Sequence, residues 1–108
     1  MTRYVLGVDG GGTKTLVAIM AEDGRLCATG TSGPSNFDDV GLAAAQANIG
    51  QAVDAARQAV GLLSTPFEAA FLGMAGVVSP KDRAVIRGIA QALNLATRLK
   101  PTPPAPAT

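Results

Sequence analysis

A run of glycine, acidic, hydroxyl and basic residues between two apolar segments constrains this chain more than any other feature. The run reads Gly7-Val8-Asp9-Gly10-Gly11-Gly12-Thr13-Lys14-Thr15. The segments on either side of it, Tyr4–Val8 and Thr15–Ala21, have the short, apolar, β-branched pattern of buried strands. The sequence therefore predicts a hairpin turn that carries a carboxylate, hydroxyls and an ammonium group at one end of a sheet.

The chemistry of this turn suits the phosphates of a nucleotide, although two well-known phosphate loops do not match. A Walker A loop needs glycine directly before the lysine, and Thr13 stands there. A dinucleotide-binding loop needs a third glycine and a following helix, whereas Thr15 opens a strand. A hairpin can still present backbone N–H groups to phosphate oxygens, and glycine permits close approach and positive φ. The predicted phosphate ligands are Gly10, Gly11, Gly12, Thr13, Lys14 and Thr15, and the alternative is a plain turn with an incidental lysine.

Asp9 is the predicted metal ligand of the same turn. Mg²⁺ prefers oxygen ligands and keeps most of its water shell, so one carboxylate beside bound phosphates is sufficient. The turn is therefore predicted to bind Mg²⁺ together with ATP.

The remaining chain alternates between strand and helix patterns. A turn at Gly24 leads to a third strand, an apolar stripe of helical spacing follows, and a fourth strand precedes a second helix. The predicted fold class is α/β, in the order βββαβα, with a mixed sheet, crossover helices and no strand after the second helix. The predicted elements are strands at Arg25–Thr31 and Phe67–Ala75, a helix at Val40–Val60 capped by Asp38 or Asp39 and ended by Gly61, and a helix capped by Ser79.

The two ends of the chain differ in composition. Residues 1–99 are predicted to be one incomplete domain, and residues 100–108, with four prolines in nine positions, a disordered extended tail. The net charge of +1 indicates no nucleic-acid or membrane partner. Histidine is absent and Cys27 is the single cysteine, which excludes Cys-His nucleophile pairs and multi-cysteine metal sites. The first apolar run is too short for a signal peptide or a membrane span, so we expect a soluble cytoplasmic protein.

Three motifs together resemble one family. They are the run Gly7 to Thr15, Gly33-Pro34-Ser35-Asn36 after the third strand, and Leu72-Gly73-Met74-Ala75-Gly76 at the end of the fourth strand. From Tyr4 to Leu99 the chain resembles the N-terminal portion of the BadF/BadG/BcrA/BcrD ATPase family, within the sugar kinase/actin/Hsp70 superfamily. The family includes N-acetylglucosamine and glucosamine kinases. The resemblance implies a partial ribonuclease-H-like (actin-like ATPase) fold, with ATP and Mg²⁺ as cofactors.

The resemblance also implies a sugar site. Ser35 and Asn36 would bind the hydroxyls of an amino sugar, and Gly73 and Gly76 would let the backbone approach it. From the residues alone, a loop asparagine bonded to its own backbone and two turn glycines are equally good interpretations. ROK-type sugar kinases and activator ATPases remain alternatives, and a homodimer stays open.

The kinases that this chain resembles place an aspartate base at the end of the next strand, and the chain has no acid after Asp82. No catalytic residue is therefore assigned. We expect an N-terminal fragment of an ATP-dependent amino-sugar kinase or BadF-type ATPase, inactive by itself. The alternative from another class is a non-catalytic binding or regulatory module that docks a partner at a free sheet edge.

Overall fold

A computed structural model describes residues 3–63, 66–74 and 79–101. These residues form one five-stranded sheet in the order β3-β2-β1-β4-β5. The strands are β1 (Tyr4–Gly10), β2 (Thr15–Ala21), β3 (Leu26–Ser32), β4 (Phe67–Met74) and β5 (Ala96–Pro101), and the helices are α1 (Phe37–Val40), α2 (Leu42–Val60) and α3 (Pro80–Ala92).

The sheet is mixed, as the sequence predicts. β1 pairs antiparallel with β2, and β2 pairs antiparallel with β3. β1 also pairs in parallel with β4, which in turn pairs in parallel with β5. Because consecutive parallel strands need crossover connections, α2 links β3 to β4 and α3 links β4 to β5. The α/β fold class and the predicted order of three strands, a helical segment, a strand and a helix are confirmed.

Turn and cap residues end most elements where the sequence indicates. Gly24 has a φ of 89° and donates its N–H to the carbonyl oxygen of Ala21 at 2.9 Å. Gly61 ends α2 in the left-handed conformation, with φ 70° and ψ 23°, which glycine adopts without steric cost. The Ser79 hydroxyl caps α3 by accepting from the N–H of Asp82 at 3.1 Å. These three assignments from sequence are confirmed.

The predicted helix caps Asp38 and Asp39 are wrong. The cap is Asn36, whose side chain accepts from the N–H of Asp38, and both aspartates lie inside the first turn of the short helix α1. Gly41 then interrupts the helix with a φ of 88°, so that α2 starts without a side-chain cap. The single predicted helix is therefore two helices, because the backbone at Gly41 leaves the helical region.

The prediction that no strand follows the second helix is also wrong. β5 runs from Ala96 to Pro101 and pairs in parallel with β4, with Ala69 opposite Arg98. A strand at a sheet edge tolerates proline at its end, because the missing N–H is not needed by a neighbour. The segment Lys100–Pro101, predicted as the start of the tail, belongs to this strand, and residues 102–108 lie outside the described residues.

The core lies on one face of the sheet. Alternate residues of the central strands, including Leu6 and Val17, are fully buried there. They form one cluster with Ile49 of α2 and with Ile86 and Ile89 of α3. The intervening strand residues point to the opposite face, since side chains alternate along a strand. None of the described helices has the length and apolarity that crossing a membrane requires.

The contact between α2 and β3 is unusually close. A Cβ atom at Gly30 would lie 2.8 Å from the backbone N of Ala56 and would also overlap the carbonyl oxygen of Ala52. Both facing residues are fully buried alanines. The helix can therefore rest on the strand only because position 30 has no side chain.

We expect Gly30→Ala to destabilise the fold, because the new methyl group meets helix backbone that cannot rotate away. Overpacking of this kind typically costs about 1–3 kcal/mol, which chemical denaturation measures as a lower free energy of unfolding. Gly7→Ala is the matched control, since Gly7 also lies in a strand but has nothing within 4 Å of its Cβ position. Equal stability of the two variants would contradict this account.

Candidate functional site

The loop between β1 and β2 (Gly11–Lys14, here the β1–β2 loop) presents unpaired backbone donors to solvent. It is closed by one hydrogen bond, from the N–H of Gly11 to the carbonyl oxygen of Lys14 at 3.0 Å. Gly12, Thr13 and Lys14 are exposed. Among the hydrogen bonds of the described residues, none uses the N–H of these three residues. Consecutive free N–H groups of this kind form a concavity suited to anions.

The three glycines before Thr13 have different structural roles. Gly10 is a buried strand residue, and a Cβ there would overlap Ser35 Oγ and the side chain of Met74. A Cβ at Gly12 would have nothing within 4 Å. Positive φ is found at Gly24, Gly41 and Gly61 among the described glycines, and at none of these three. The expectation that this loop needs glycine for positive φ is therefore wrong: Gly10 packs closely against the side chains of Ser35 and Met74, and the Cβ position of Gly12 faces open space.

Asp9 lies beside the loop, one residue before the end of β1. Its neighbours in register are Leu16 in β2 and Gly73 in β4. The side chain is exposed, and within the described ranges it forms no hydrogen bond or ion pair. The described residues also contain no cluster of three or more metal-ligating side chains. Within the part of the chain that the structure describes, Asp9 is therefore an isolated carboxylate one residue before the end of β1.

Lys14 and Thr13 supply the exposed polar side chains of the loop. Neither side chain forms a hydrogen bond or an ion pair with another residue in the described part of the chain. An ammonium group with no internal partner is available to an anionic ligand without loss of an existing contact. With respect to the described residues, the loop thus combines a charge, a hydroxyl and three N–H groups that have no partner.

Thr15 and Ser35, predicted as a phosphate ligand and a sugar ligand, are instead completely buried. Thr15 Oγ1 lies 2.8 Å from the carbonyl oxygen of Gly33 and 2.6 Å from Ser35 Oγ. A carbonyl oxygen only accepts, so the single hydroxyl proton of Thr15 goes to Gly33, and Ser35 donates to Thr15. Both hydroxyls are therefore already engaged inside the protein, and a direct ligand role for either stays a prediction.

Asn36 lies at the end of the loop between β3 and α1 (Gly33–Asn36, here the β3–α1 loop). Its Oδ1 accepts from the N–H of Asp38 at 3.2 Å, which fixes the orientation of the amide because only the oxygen can accept. The side-chain oxygen of Asn36 is therefore bonded to the nearby backbone, as the interpretation of a loop asparagine predicts. The amide nitrogen has no partner among the described residues and remains available as a donor.

Two glycines, Gly73 and Gly76, were predicted to let the backbone approach the sugar, and the structure describes the position of Gly73 only. Gly73 is half-buried in β4, directly opposite Asp9. It therefore lies at the same end of the sheet as the β1–β2 loop. Gly76 lies outside the described residues.

Asn48 of α2 is a residue that the sequence analysis missed. Its side-chain Nδ2 donates to the carbonyl oxygen of Pro34 at 2.7 Å, and its backbone oxygen accepts from the hydroxyl of Ser32. A Cβ at Gly33 would lie 3.1 Å from the same Nδ2. The sequence offered one indication of this role: Asn48 stands next to Ile49, at the edge of the apolar stripe of an alanine-rich helix. Asn48 thus supports the β3–α1 loop from the helix side.

Comparison with known proteins supports the family resemblance. The model of the BadF/BadG/BcrA/BcrD ATPase family matches residues 6–92. The structure of a candidate N-acetylglucosamine kinase from Chromobacterium violaceum is 30% identical, with a TM-score of 0.69 over 94% of this chain and 35% of that one. This chain therefore spans about a third of the length of that relative. No curated protein matches it in sequence at a significant level.

More distant structures share the fold alone. The PPX-GPPA enzyme of Aquifex aeolicus is 8% identical, with a TM-score of 0.55 over 94% of this chain and 36% of that chain. A diol dehydratase-reactivating factor is 18% identical, with a TM-score of 0.52 over 66% of this chain and 12% of its own. The family match extends over most of the sequence and includes all three motifs as far as Gly76. The chain therefore belongs to the BadF/BadG/BcrA/BcrD ATPase family.

Proposed function

We propose that this chain binds the phosphates of Mg-ATP through the β1–β2 loop, as the N-terminal part of an amino-sugar kinase or a BadF-type ATPase. Membership of an ATPase family implies ATP binding. The observation that carries the proposal is the set of three consecutive exposed N–H groups, at Gly12, Thr13 and Lys14, without partners among the described residues.

The loop has the donors that a triphosphate needs. Backbone N–H groups complement phosphate oxygens without adding side-chain entropy, and they are fixed by the hairpin. The Lys14 ammonium adds a compact positive charge, and hydrogen bonds between charged partners are about twice as strong as neutral ones. The Thr13 hydroxyl supplies a further donor. Thr15 and Gly10 contribute through the position of the loop, since one is engaged internally and the other is packed.

Asp9 is suited to a magnesium ion that arrives with the nucleotide. A single exposed carboxylate cannot build an all-protein metal site, but Mg²⁺ usually combines one or two carboxylates with waters and phosphate oxygens. The free Asp9 side chain beside the loop fits this mode. When bound, the metal ion neutralises phosphate charge, and Asp9 holds it at the end of β1.

The second substrate is proposed to be an amino sugar that contacts the β3–α1 loop. Asn36 would donate its free amide N–H groups to sugar hydroxyls, and Gly73 and Gly76 would line the approach. The relative from Chromobacterium violaceum supports this substrate class, at 30% identity. This chain has no acid after Asp82, so the base that orients the sugar hydroxyl is not assigned within it.

A non-catalytic binding module is the second candidate, and the edge of β3, beside which no further strand lies among the described residues, favours it. β3 lies at the end of the sheet order, and its seven residues include neither a charge nor a proline. Natural edge strands usually carry such residues to prevent pairing with other chains. A chain that dimerises but binds no Mg-ATP would support this candidate. Binding of Mg-ATP by the monomer would support the first.

Lys14→Gln is the first test of the phosphate site. Loss of a charged contact costs about 1.5–3 kcal/mol, so we expect the dissociation constant of Mg-ATP to rise at least about tenfold in isothermal titration calorimetry. Arg25→Gln is the matched control. It removes the same charge from the turn at the opposite end of β2 and should bind like the unmodified chain. Equal affinity in both variants would overturn the role of Lys14.

Asp9→Asn tests the metal site separately. The variant should lose the gain in ATP affinity that Mg²⁺ provides, while its affinity for metal-free ATP should stay equal or rise because a negative charge is removed. Titrations of ATP with Mg²⁺ and with excess chelator measure both quantities. Glu22→Gln, exposed at the far hairpin, is the control and should keep the full metal dependence. An unchanged Mg²⁺ effect in Asp9→Asn would refute the assignment.

A further inference from the structure

Three hydrogen bonds join the β1–β2 loop region to the β3–α1 loop. The N–H of Ser35 donates to the carbonyl oxygen of Gly11 at 3.1 Å. The Thr15 hydroxyl donates to the carbonyl oxygen of Gly33 at 2.8 Å, and the hydroxyls of Thr15 and Ser35 are 2.6 Å apart. Residues twenty positions apart in sequence are thereby fastened at one point.

These two hydroxyls are exceptional within the core. Thr15 and Ser35 are the fully buried polar residues among the described residues, and the next inward-facing residues of β2 are Val17 and Ile19. Valine has nearly the shape of threonine, so an apolar side chain would fill position 15 equally well. Burying hydroxyls is favourable only when each is hydrogen-bonded. The two hydroxyls therefore contribute a specific contact between β2 and the β3–α1 loop. They do not increase the buried apolar surface.

The groups proposed to contact ligands flank this pair. Lys14 immediately precedes Thr15, and Asn36 immediately follows Ser35. The Lys14 ammonium and the Asn36 amide thus each belong to a residue bonded to a buried, anchored neighbour. Asn48 secures the same loop from the other side through Pro34.

We propose that Thr15 and Ser35 are positioning residues, whose buried hydroxyl pair holds the phosphate-binding and sugar-binding loops as one rigid unit. They set the relative placement of Lys14 and Asn36 without touching either ligand. The names of the two loops rest on the proposed function. The mechanical coupling between them rests on the hydrogen bonds alone and can be measured without any ligand.

The test measures motion of the β1–β2 loop after a change in the other loop. Ser35→Ala removes the hydroxyl pair but keeps the bond from Thr15 to Gly33, whereas Thr15→Val removes both. In the ligand-free chain, NMR should show amide exchange at Gly11 accelerated about fivefold in Ser35→Ala, as expected for one lost hydrogen bond, and more in Thr15→Val. The heteronuclear NOE of Gly12 should fall in both variants.

Internal and matched controls separate coupling from general destabilisation. The N–H of Gly24, bonded to Ala21 in the far hairpin, should exchange at its original rate. Thr15→Ser keeps the hydroxyl and should restore the behaviour of the unmodified chain. Thr31→Val removes an exposed hydroxyl from β3 and should not alter Gly11 or Gly12.

Each outcome decides the proposal. Unchanged exchange at Gly11 and an unchanged NOE at Gly12 in Ser35→Ala would overturn it, as would equal acceleration at Gly11 and Gly24. If Thr15→Val does not fold, Ser35→Ala and Thr15→Ser still decide. A Mg-ATP titration of the unmodified chain is the separate arm: absence of binding there refutes the proposed function, while the exchange data continue to judge the coupling.

Discussion

The placement of the two loops depends on the hydrogen bonds at the end of β1, where Gly10 packs against two other elements. Met74 of β4 and Ser35 of the β3–α1 loop occupy the volume that a Cβ would take. Their approach brings Ser35 to Thr15 and brings the N–H of Ser35 to the carbonyl oxygen of Gly11. These hydrogen bonds give the two loops a common anchoring point at the end of the sheet.

The fold was largely predictable from local patterns. β1, β2 and β4 are short apolar runs with a glycine at or within three positions of their ends, and such signals depend mainly on neighbouring residues. β5 was not predicted, because polar and apolar residues do not alternate regularly over Ala96–Pro101 and prolines follow. Its strand character comes from pairing with β4, a long-range contact that no local pattern encodes. The break in the helix at Gly41 was not predicted either, because the presence of a single glycine in a helical pattern does not reveal its φ.

The site was predictable in its residue types but not in the direction of its side chains. The sequence pointed to the segment Asp9–Thr15 as the phosphate site, and within it the structure exposes Asp9, Thr13 and Lys14. It could not tell that Thr13 is exposed and Thr15 is buried, because the two residues are identical and the exact start of β2 decides which of them faces the core. The structure buries Thr15 since β2 starts there and its first residue faces the helices. The partner role of Asn48 required the packing of α2 and was invisible from spacing.

The close approach of α2 to the sheet also limits how relatives of this chain can diverge. The atoms that exclude a side chain at Gly30 belong to the main chain of Ala52 and Ala56, so no compensating exchange in the helix can create room. Gly33 differs, because the atoms nearest its Cβ position belong to the side chain of Asn48. A side chain at position 30 would require the helix itself to move away from the sheet, whereas one at position 33 would require Asn48 to leave its place against Pro34.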